Sequence, residues 1–244
     1  MLASPTPTKP RDITPPSAHR KIAIRRALHT LSTLLLASCV CVGMLVVRIL
    51  WAGNFHLYGL FENLVLAWIP LSVALLIRYM PALKGWHRLW FWLALIIWVL
   101  FYPNAFYLVT DFTHINNYPA DGVARWFDLL MFTSFASGGM FLGCLSLYLM
   151  QLFVQHRFGG RTGWTFAVAM LALGSFGIYL GRVLRFNSWD IVAHPFRLLG
   201  SISALTQAAT LREAVAFSVT FFFFSLAVYT FLISIARLHE KDAA

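Results

Sequence analysis

The sequence predicts an all-α protein: a polytopic bundle of about six membrane-spanning helices with both termini in the cytoplasm. Three observations support this fold class. The chain is 59% hydrophobic and only 11% charged, whereas soluble domains contain about 25% charged residues. Several apolar runs are long enough to cross a hydrocarbon core about 30 Å thick. Lysine and arginine are unequally divided between the two sides that these runs define.

The predicted spans follow one another from residue 28 onwards. They cover Leu28–Val47, Tyr58–Leu76, Arg88–Tyr107, Trp126–Phe153, Thr162–Gly181 and Ala214–Ile235. Residues 28–238 are therefore predicted to form one transmembrane domain. Residues 1–27 are basic and rich in proline, so we expect a disordered cytoplasmic tail. Residues 239–244 form a short second tail on the same side.

One segment of the first span resembles the cleavage box of a lipoprotein. This segment is "LASC", Leu36–Cys39. The apolar run continues beyond it through "VCVGMLVV", whereas a cleaved lipoprotein usually becomes polar at this point. We therefore interpret the segment as part of an uncleaved helix. All cysteines lie in apolar runs, so neither disulfides nor a cysteine metal site is predicted.

The positions of the charged residues predict the orientation. With the N-terminus in the cytoplasm, thirteen lysines and arginines fall on the inner side and six on the outer side, as the positive-inside rule requires. The net charge of +10 does not indicate nucleic-acid binding, because the basic residues are scattered at the ends of apolar runs. The predicted partner is the lipid bilayer. The acidic residues, in contrast, gather mostly on the outer side: Glu62, Asp111, Asp121, Asp128, Asp190 and Glu213.

The first candidate cluster lies in "FYPNAFYLVTDFTH", residues 101–114. If the third helix continues past Pro103, four polar side chains lie within an arc of about 80° on one helix face. These are Asn104, Tyr107, Asp111 and His114. Carboxylate and imidazole groups suit a divalent metal or an acid–base pair, with Asp111 and His114 as the ligands. The alternative is a polar helix end that satisfies backbone groups at the membrane interface.

The second cluster is "GRVLRFNSWDIVAHP", residues 181–195, where the fifth span leaves the membrane. Its polar residues are Arg182, Arg185, Asn187, Asp190 and His194. An arginine at this depth needs a partner, because an unpaired charge near the bilayer centre costs about 2.5–3.5 kcal/mol. Asp128 and Asp111 are available. The arginines, with Asn104 and Asn187, either bind an anionic group or form structural pairs, for example between the fourth and fifth helices.

Two further features bear on the site and on the packing. Glu62 enters the second span about one turn from its outer end and is a weaker candidate, like Tyr107 and His194. Small-residue motifs at Gly139–Gly143 and Gly177–Gly181 indicate close helix contacts. Because these motifs lie at different depths, we expect them to face different neighbours.

Three stretches in order resemble a known family. "YPNAFYLVTDFTH", "WFDLL" and "SFGIYLGRVLRFNSWD" are similar to the motifs of the bacterial multi-pass membrane family called domain of unknown function 1361, over about residues 58–236. The family usually has proline where this chain has Phe106. The resemblance implies a polytopic protein of the bacterial inner membrane. It implies no activity, so no catalytic residue is carried over from it.

Two classes of function fit these residues. The first is a membrane-embedded hydrolase or transferase for lipid-linked or phosphate-bearing substrates, using a divalent metal. Its candidate catalytic residues are Asp111, His114, Asp128 and Asp190. The second is non-enzymatic: a small transporter, or an assembly or scaffold protein with a membrane-protein partner or a second copy of itself. In that class the Arg–Asp pairs are structural. The sequence leaves the choice open.

Overall fold

The computed structural model describes residues 16–80, 86–115, 122–182 and 208–242, without the side chains of residues 16–24, 26, 114, 208–210 and 237–242. Within these ranges the protein is all-helical, which confirms the predicted fold class. The helices are α1 (Pro16–Ala52), α2 (Gly59–Tyr79), α3 (Trp86–Thr110), α4 (Arg125–Phe158), α5 (Gly160–Arg182) and α6 (Ala208–Asp242). A 3₁₀ turn, Asp111–His114, follows α3 directly.

Six segments of these helices are long and apolar enough to cross a membrane. Each overlaps one predicted span, so the number and the order of the spans are confirmed. The observed helices are longer than the predicted spans, because a helix continues after its apolar stretch ends. In particular, α1 begins at Pro16, inside the tail expected to be disordered. Proline suits a first helical position, and the following Ala, Ile, Arg and Lys residues tolerate or favour a helix.

The fourth helix is the centre of the bundle. It contacts α1, α2, α3 and α5, and α3 also packs against α2 and α5. In contrast, α1 contacts chiefly α4, and α6 contacts chiefly α5 among the described elements. The main apolar core includes side chains from all six helices, and a small second cluster surrounds Tyr179 and Ala214. The arrangement places α3 between α2, α4 and α5, and its polar end is therefore surrounded by three helices.

Glycines let α4 and α5 approach α3 closely. A Cβ atom added at Gly143 of α4 would lie 2.6 Å from the Phe106 ring, and one at Gly177 of α5 would lie 2.8 Å from Cγ of Pro103. Gly139 faces the backbone oxygen of Ala105 just as closely. Both small-residue motifs therefore contact the same neighbour. The expectation of different neighbours was wrong, because α3 fits between α4 and α5 and presents two sides to them.

The two ends of the bundle differ in charge. One end, which we call the carboxylate end, carries all the acidic side chains that the structure describes: Glu62, Asp111, Asp128 and Glu213. The opposite end, which we call the basic end, includes Arg78, Arg88, Arg157 and Arg161, close to the other termini of α2 to α5. This separation agrees with the charge pattern of the sequence. Which end faces the cytoplasm stays a prediction.

Candidate functional site

The site at the carboxylate end is built around Asp111. This residue opens the 3₁₀ turn after α3 and is only 3% exposed. Its Oδ1 accepts a hydrogen bond from Nη1 of Arg182 at 3.0 Å, and its Oδ2 accepts one from Nδ2 of Asn63 at 2.9 Å. Both carboxylate oxygens are therefore engaged, and one side chain connects α2, α3 and α5.

Arg182, the last residue of α5, donates hydrogen bonds to several acceptors at the end of α3. Besides Asp111, its Nη1 donates to Oη of Tyr107 at 3.3 Å. Its Nη2 donates to the backbone oxygen of Thr110 and to Oγ1 of Thr113, the latter at 2.6 Å. The guanidinium carbon also lies 5.1 Å from the centre of the Tyr107 ring, a distance at which a cation–π contact is favourable. The two terminal nitrogens of Arg182 thus use their four hydrogens inside the protein.

A cavity of about 190 Å³ lies beside this ion pair, between the carboxylate-end residues of α2, α3, α4 and α5. Its polar lining consists of His56, Glu62, Asn63, Tyr107, Asp111 and Arg182, and Leu57, Leu60 and Phe132 supply apolar walls. Glu62 is exposed there. Among the described residues no hydrogen bond or ion pair includes its carboxylate. The cavity therefore combines one saturated ion pair with one carboxylate that has no such partner.

A second buried ion pair lies at the same end. Nε of Arg48, a residue only 1% exposed, donates to Oδ1 of Asp128 at 3.3 Å. Nη1 of Arg48 is 3.5 Å from Oδ1 of Asn54. Asn54 also contacts the backbone of the α1–α2 turn through Ala52 and His56, next to Gly53 with its positive φ of 66°. This pair connects α1 to α4.

The structure selects between the two acids considered as partners of Arg182. Asp128 and Asp111 were both available, and a structural pair between α4 and α5 was one of the alternatives. The observed pair is Arg182–Asp111, which connects α5 to the end of α3, while Asp128 pairs with Arg48. The reason is that α3 packs against α5 and brings its polar end to the terminus of that helix.

Only some of the predicted site residues lie together in the cluster around Asp111. Tyr107, Asp111 and Arg182 meet in one cluster, with Glu62 across the cavity. Asn104 lies in α3 one turn before Tyr107 and is half-buried. The predicted helical face ends at Thr110, because the next four residues form a 3₁₀ turn. The side chain of His114, and all of Arg185, Asn187, Asp190 and His194, lie outside the described residues.

Sequence reasoning missed several residues of this end. Arg48 was counted only as one of the outer basic residues, and Asn54 and Thr113 were not considered. Asn63 stands next to Glu62 in "LFENLVLAWIP", but its bond to Asp111 depends on the packing of α2 against α3. The signal for Arg48 was present: it is an arginine at the end of an apolar run, at a depth similar to that of Asp128 three helices later.

The metal hypothesis gains no support from the described residues. Among them no group of three or more histidine, cysteine, aspartate or glutamate side chains is close enough to hold a metal ion. Asp111 would have to exchange Arg182 or Asn63 for the metal, and a guanidinium that no longer pairs with Asp111 would repel the bound cation. Because the side chain of His114 is not described, a metal held by Asp111 and His114 stays a prediction.

Comparison with known proteins identifies a family and nothing closer. The family model described as "Protein of unknown function (DUF1361)" matches residues 62–228, within the range over which the sequence motifs resemble that family. No curated protein and no solved structure matches the chain significantly.

Proposed function

We propose that this chain, which belongs to the DUF1361 family of proteins of unknown function, is a non-enzymatic multi-pass membrane protein that binds a small cationic group in the Glu62 cavity. The Arg–Asp pairs beside that cavity are its structural framework. From the predicted orientation, the cavity opens at the non-cytoplasmic face of a bacterial inner membrane. In this arrangement the protein acts as a small transporter or as an assembly protein.

The saturation of the Arg182–Asp111 pair carries this proposal. Arg182 already donates to Asp111, Tyr107, Thr110 and Thr113, so an added anion would have to displace one of these acceptors. Breaking a buried ion pair by removing one partner costs about 3–5 kcal/mol. Binding of a cation to the carboxylate of Glu62 has no comparable free-energy cost. A cation can approach it without breaking any bond that the described residues make.

The size of the cavity also limits the ligand. Pockets for drug-sized molecules have volumes of about 300–1,000 Å³, and this one has about 190 Å³. Since a water molecule occupies about 30 Å³, an amino group with a few methylene carbons fits the described cavity. A nucleotide is too large to be enclosed by it. The ligand class is therefore a primary amine or a similar small cation, such as an aminoalkyl headgroup.

A thermal-unfolding experiment with soluble ethanolamine tests this function. For a weak site with a dissociation constant of about 1 mM, which corresponds to about 4.1 kcal/mol of binding free energy, we expect a stabilisation of about 1.4 kcal/mol at about 10 mM ligand. The stabilisation is expected in the wild type and in the control Glu213→Gln, an exposed carboxylate at the same end that does not line the cavity. Glu62→Gln is expected to abolish it.

The membrane-embedded hydrolase or transferase is the second candidate. The meeting of a phenol, a guanidinium and two carboxylates in one cavity favours it. It requires Arg182 to leave Asp111 for a phosphate group, and it relies on residues 183–207, outside the described part. If inorganic phosphate, and not ethanolamine, stabilises the protein, and if purified protein contains a divalent metal that Asp111→Ala removes, the enzyme hypothesis replaces the proposal.

The orientation has its own test. Alkaline phosphatase fused after Ile115, which follows the 3₁₀ turn at the carboxylate end, is expected to be active because it folds outside the cytoplasm. Fusion after Arg78 at the basic end is expected to be inactive. The reverse result would place the Glu62 cavity in the cytoplasm.

A further inference from the structure

The basic end of the bundle holds a second, larger cavity between the termini of α2 and α4. Its volume is about 650 Å³, within the range of about 300–1,000 Å³ that ligand sites usually have. Its lining residues are Arg78, Tyr79, Phe153, His156 and Arg157. Nothing in the proposed function uses this cavity.

In the part of the chain that the structure describes, the charges around this cavity have no ion-pair partners. Arg78, His156 and Arg157 are exposed, and within the described ranges none of them makes a side-chain hydrogen bond or an ion pair. Every acidic side chain that the structure describes lies at the carboxylate end, across the bundle. Two guanidinium groups around one cavity repel each other, and a bound anion would offset that repulsion.

Helix ends alone do not account for this arrangement. Cations near a helix C-terminus gain about 0.3–1 kcal/mol from the helix dipole, which explains a basic residue at the end of α2 or of α4. It does not require the two ends to enclose one cavity. Nor does it explain the walls, where Tyr79 and Phe153 place aromatic surface beside the cations. A ligand with an anionic head and an apolar body fits both features.

We propose that this cavity binds the phosphate group of an anionic phospholipid, with Arg78 and Arg157 on the phosphate and with Tyr79 and Phe153 against the glycerol and upper acyl carbons. The level of the cavity supports a lipid as the source. Arg78 lies at the end of the α2 span and Arg157 at the end of the α4 span, where a bilayer places its headgroups. The site is independent of the Glu62 cavity and of its ligand.

Native mass spectrometry tests the site with defined lipids. The full-length protein is released from nanodiscs that contain equal amounts of phosphatidylglycerol and phosphatidylcholine, and the retained lipids are counted. The wild type is expected to retain phosphatidylglycerol preferentially. Each of Arg78→Gln and Arg157→Gln is expected to reduce that preference about fivefold, which corresponds to about 1 kcal/mol per arginine. Preserved helical circular dichroism shows that the variants fold.

Arg161→Gln is the matched control. It removes an exposed arginine from the same end of the bundle without touching the cavity lining, and it is expected to leave the lipid preference unchanged. Equal losses in all three variants would overturn the proposal, because they would show general attraction of an anionic surface. No preference in the wild type would overturn it as well. A competition with inorganic phosphate identifies the source: displacement of the lipid at millimolar phosphate would assign the site to free phosphate and contradict the lipid assignment.

Discussion

The arginine side chains at the two ends of this bundle differ in burial and in pairing. At the carboxylate end, Arg48 is buried, Arg182 is partly buried, and both are bonded to aspartates. At the basic end, Arg78 and Arg157 are exposed and, among the described residues, make no ion pair. A buried charge must have partners, whereas an exposed one at a membrane surface is stabilised by water and lipid. The comparison therefore separates charges that maintain the fold from charges that are available to a ligand.

Asp111→Ala tests the first half of this comparison and has the largest expected effect. It leaves Arg182, whose side chain is 13% exposed, without its carboxylate partner. We expect the free energy of unfolding in detergent to fall by about 3–5 kcal/mol. Asp111→Asn keeps one acceptor oxygen and is expected to lose less. A loss no greater than that of the exposed control Glu213→Ala would contradict the structural role.

Asp128→Ala is expected to have a smaller effect, about 3 kcal/mol at the lower end of the range for a broken buried pair, because Arg48 keeps its contact with Asn54. Double-mutant cycles sharpen the distinction between the two pairs. Arg182 and Asp111 are expected to be strongly coupled, whereas Arg182 and Asp128 should add within about 0.5 kcal/mol. Strong coupling of Arg182 to Asp128 would favour the other pair that the sequence allowed.

Gly143→Ala examines the apolar region between the two ends. Its new Cβ would stand 2.6 Å from the Phe106 ring, so we expect a loss of about 1–3 kcal/mol from overpacking. Gly43→Ala is the control, because no atom lies within 4 Å of a Cβ at that helical position. The control should be neutral or should stabilise by up to about 1 kcal/mol. Equal effects of the two substitutions would show that α3 and α4 are not in close contact.

Arg157→Gln at the basic end is expected to have the smallest effect on folding. In detergent without phospholipid, an exposed side chain without partners should change the free energy of unfolding by less than about 0.5 kcal/mol. Its effect should appear only when an anionic phospholipid is added. A large loss in detergent alone would show that the basic end, like the carboxylate end, contributes to the fold.

The fold was largely predictable because the free energy of transferring a segment into lipid is close to a sum of contributions from its residues. The number and order of the spans follow from hydropathy along the chain, and every span was located within a few residues at its apolar part. Helix ends were less predictable. The helical segment from Pro16 and the extension of α6 to Asp242 are polar, and hydropathy does not detect helices in such segments.

The site was only partly predictable because pairing depends on which helices are neighbours. Sequence spacing gave the depth of Asp111, Asp128 and Arg182, and all of them do lie at one end. Depth cannot say whether α5 meets α3 or α4 at that level, so both aspartates remained candidates. The partner of Arg48 was unpredictable for the same reason, since it is visible only once α1 is packed against α4.

The glycines that face α3 also bear on how the protein can move. Gly139, Gly143 and Gly177 lie directly against Ala105, Phe106 and Pro103 of α3 with no room for a Cβ atom, so sliding one helix past the other would produce clashes. Helices α3, α4 and α5 should therefore shift together as one rigid unit. The helix that moves when the Glu62 cavity widens is therefore α2, which contacts that unit through ordinary side chains. The turn at Gly53 would act as the hinge of α2.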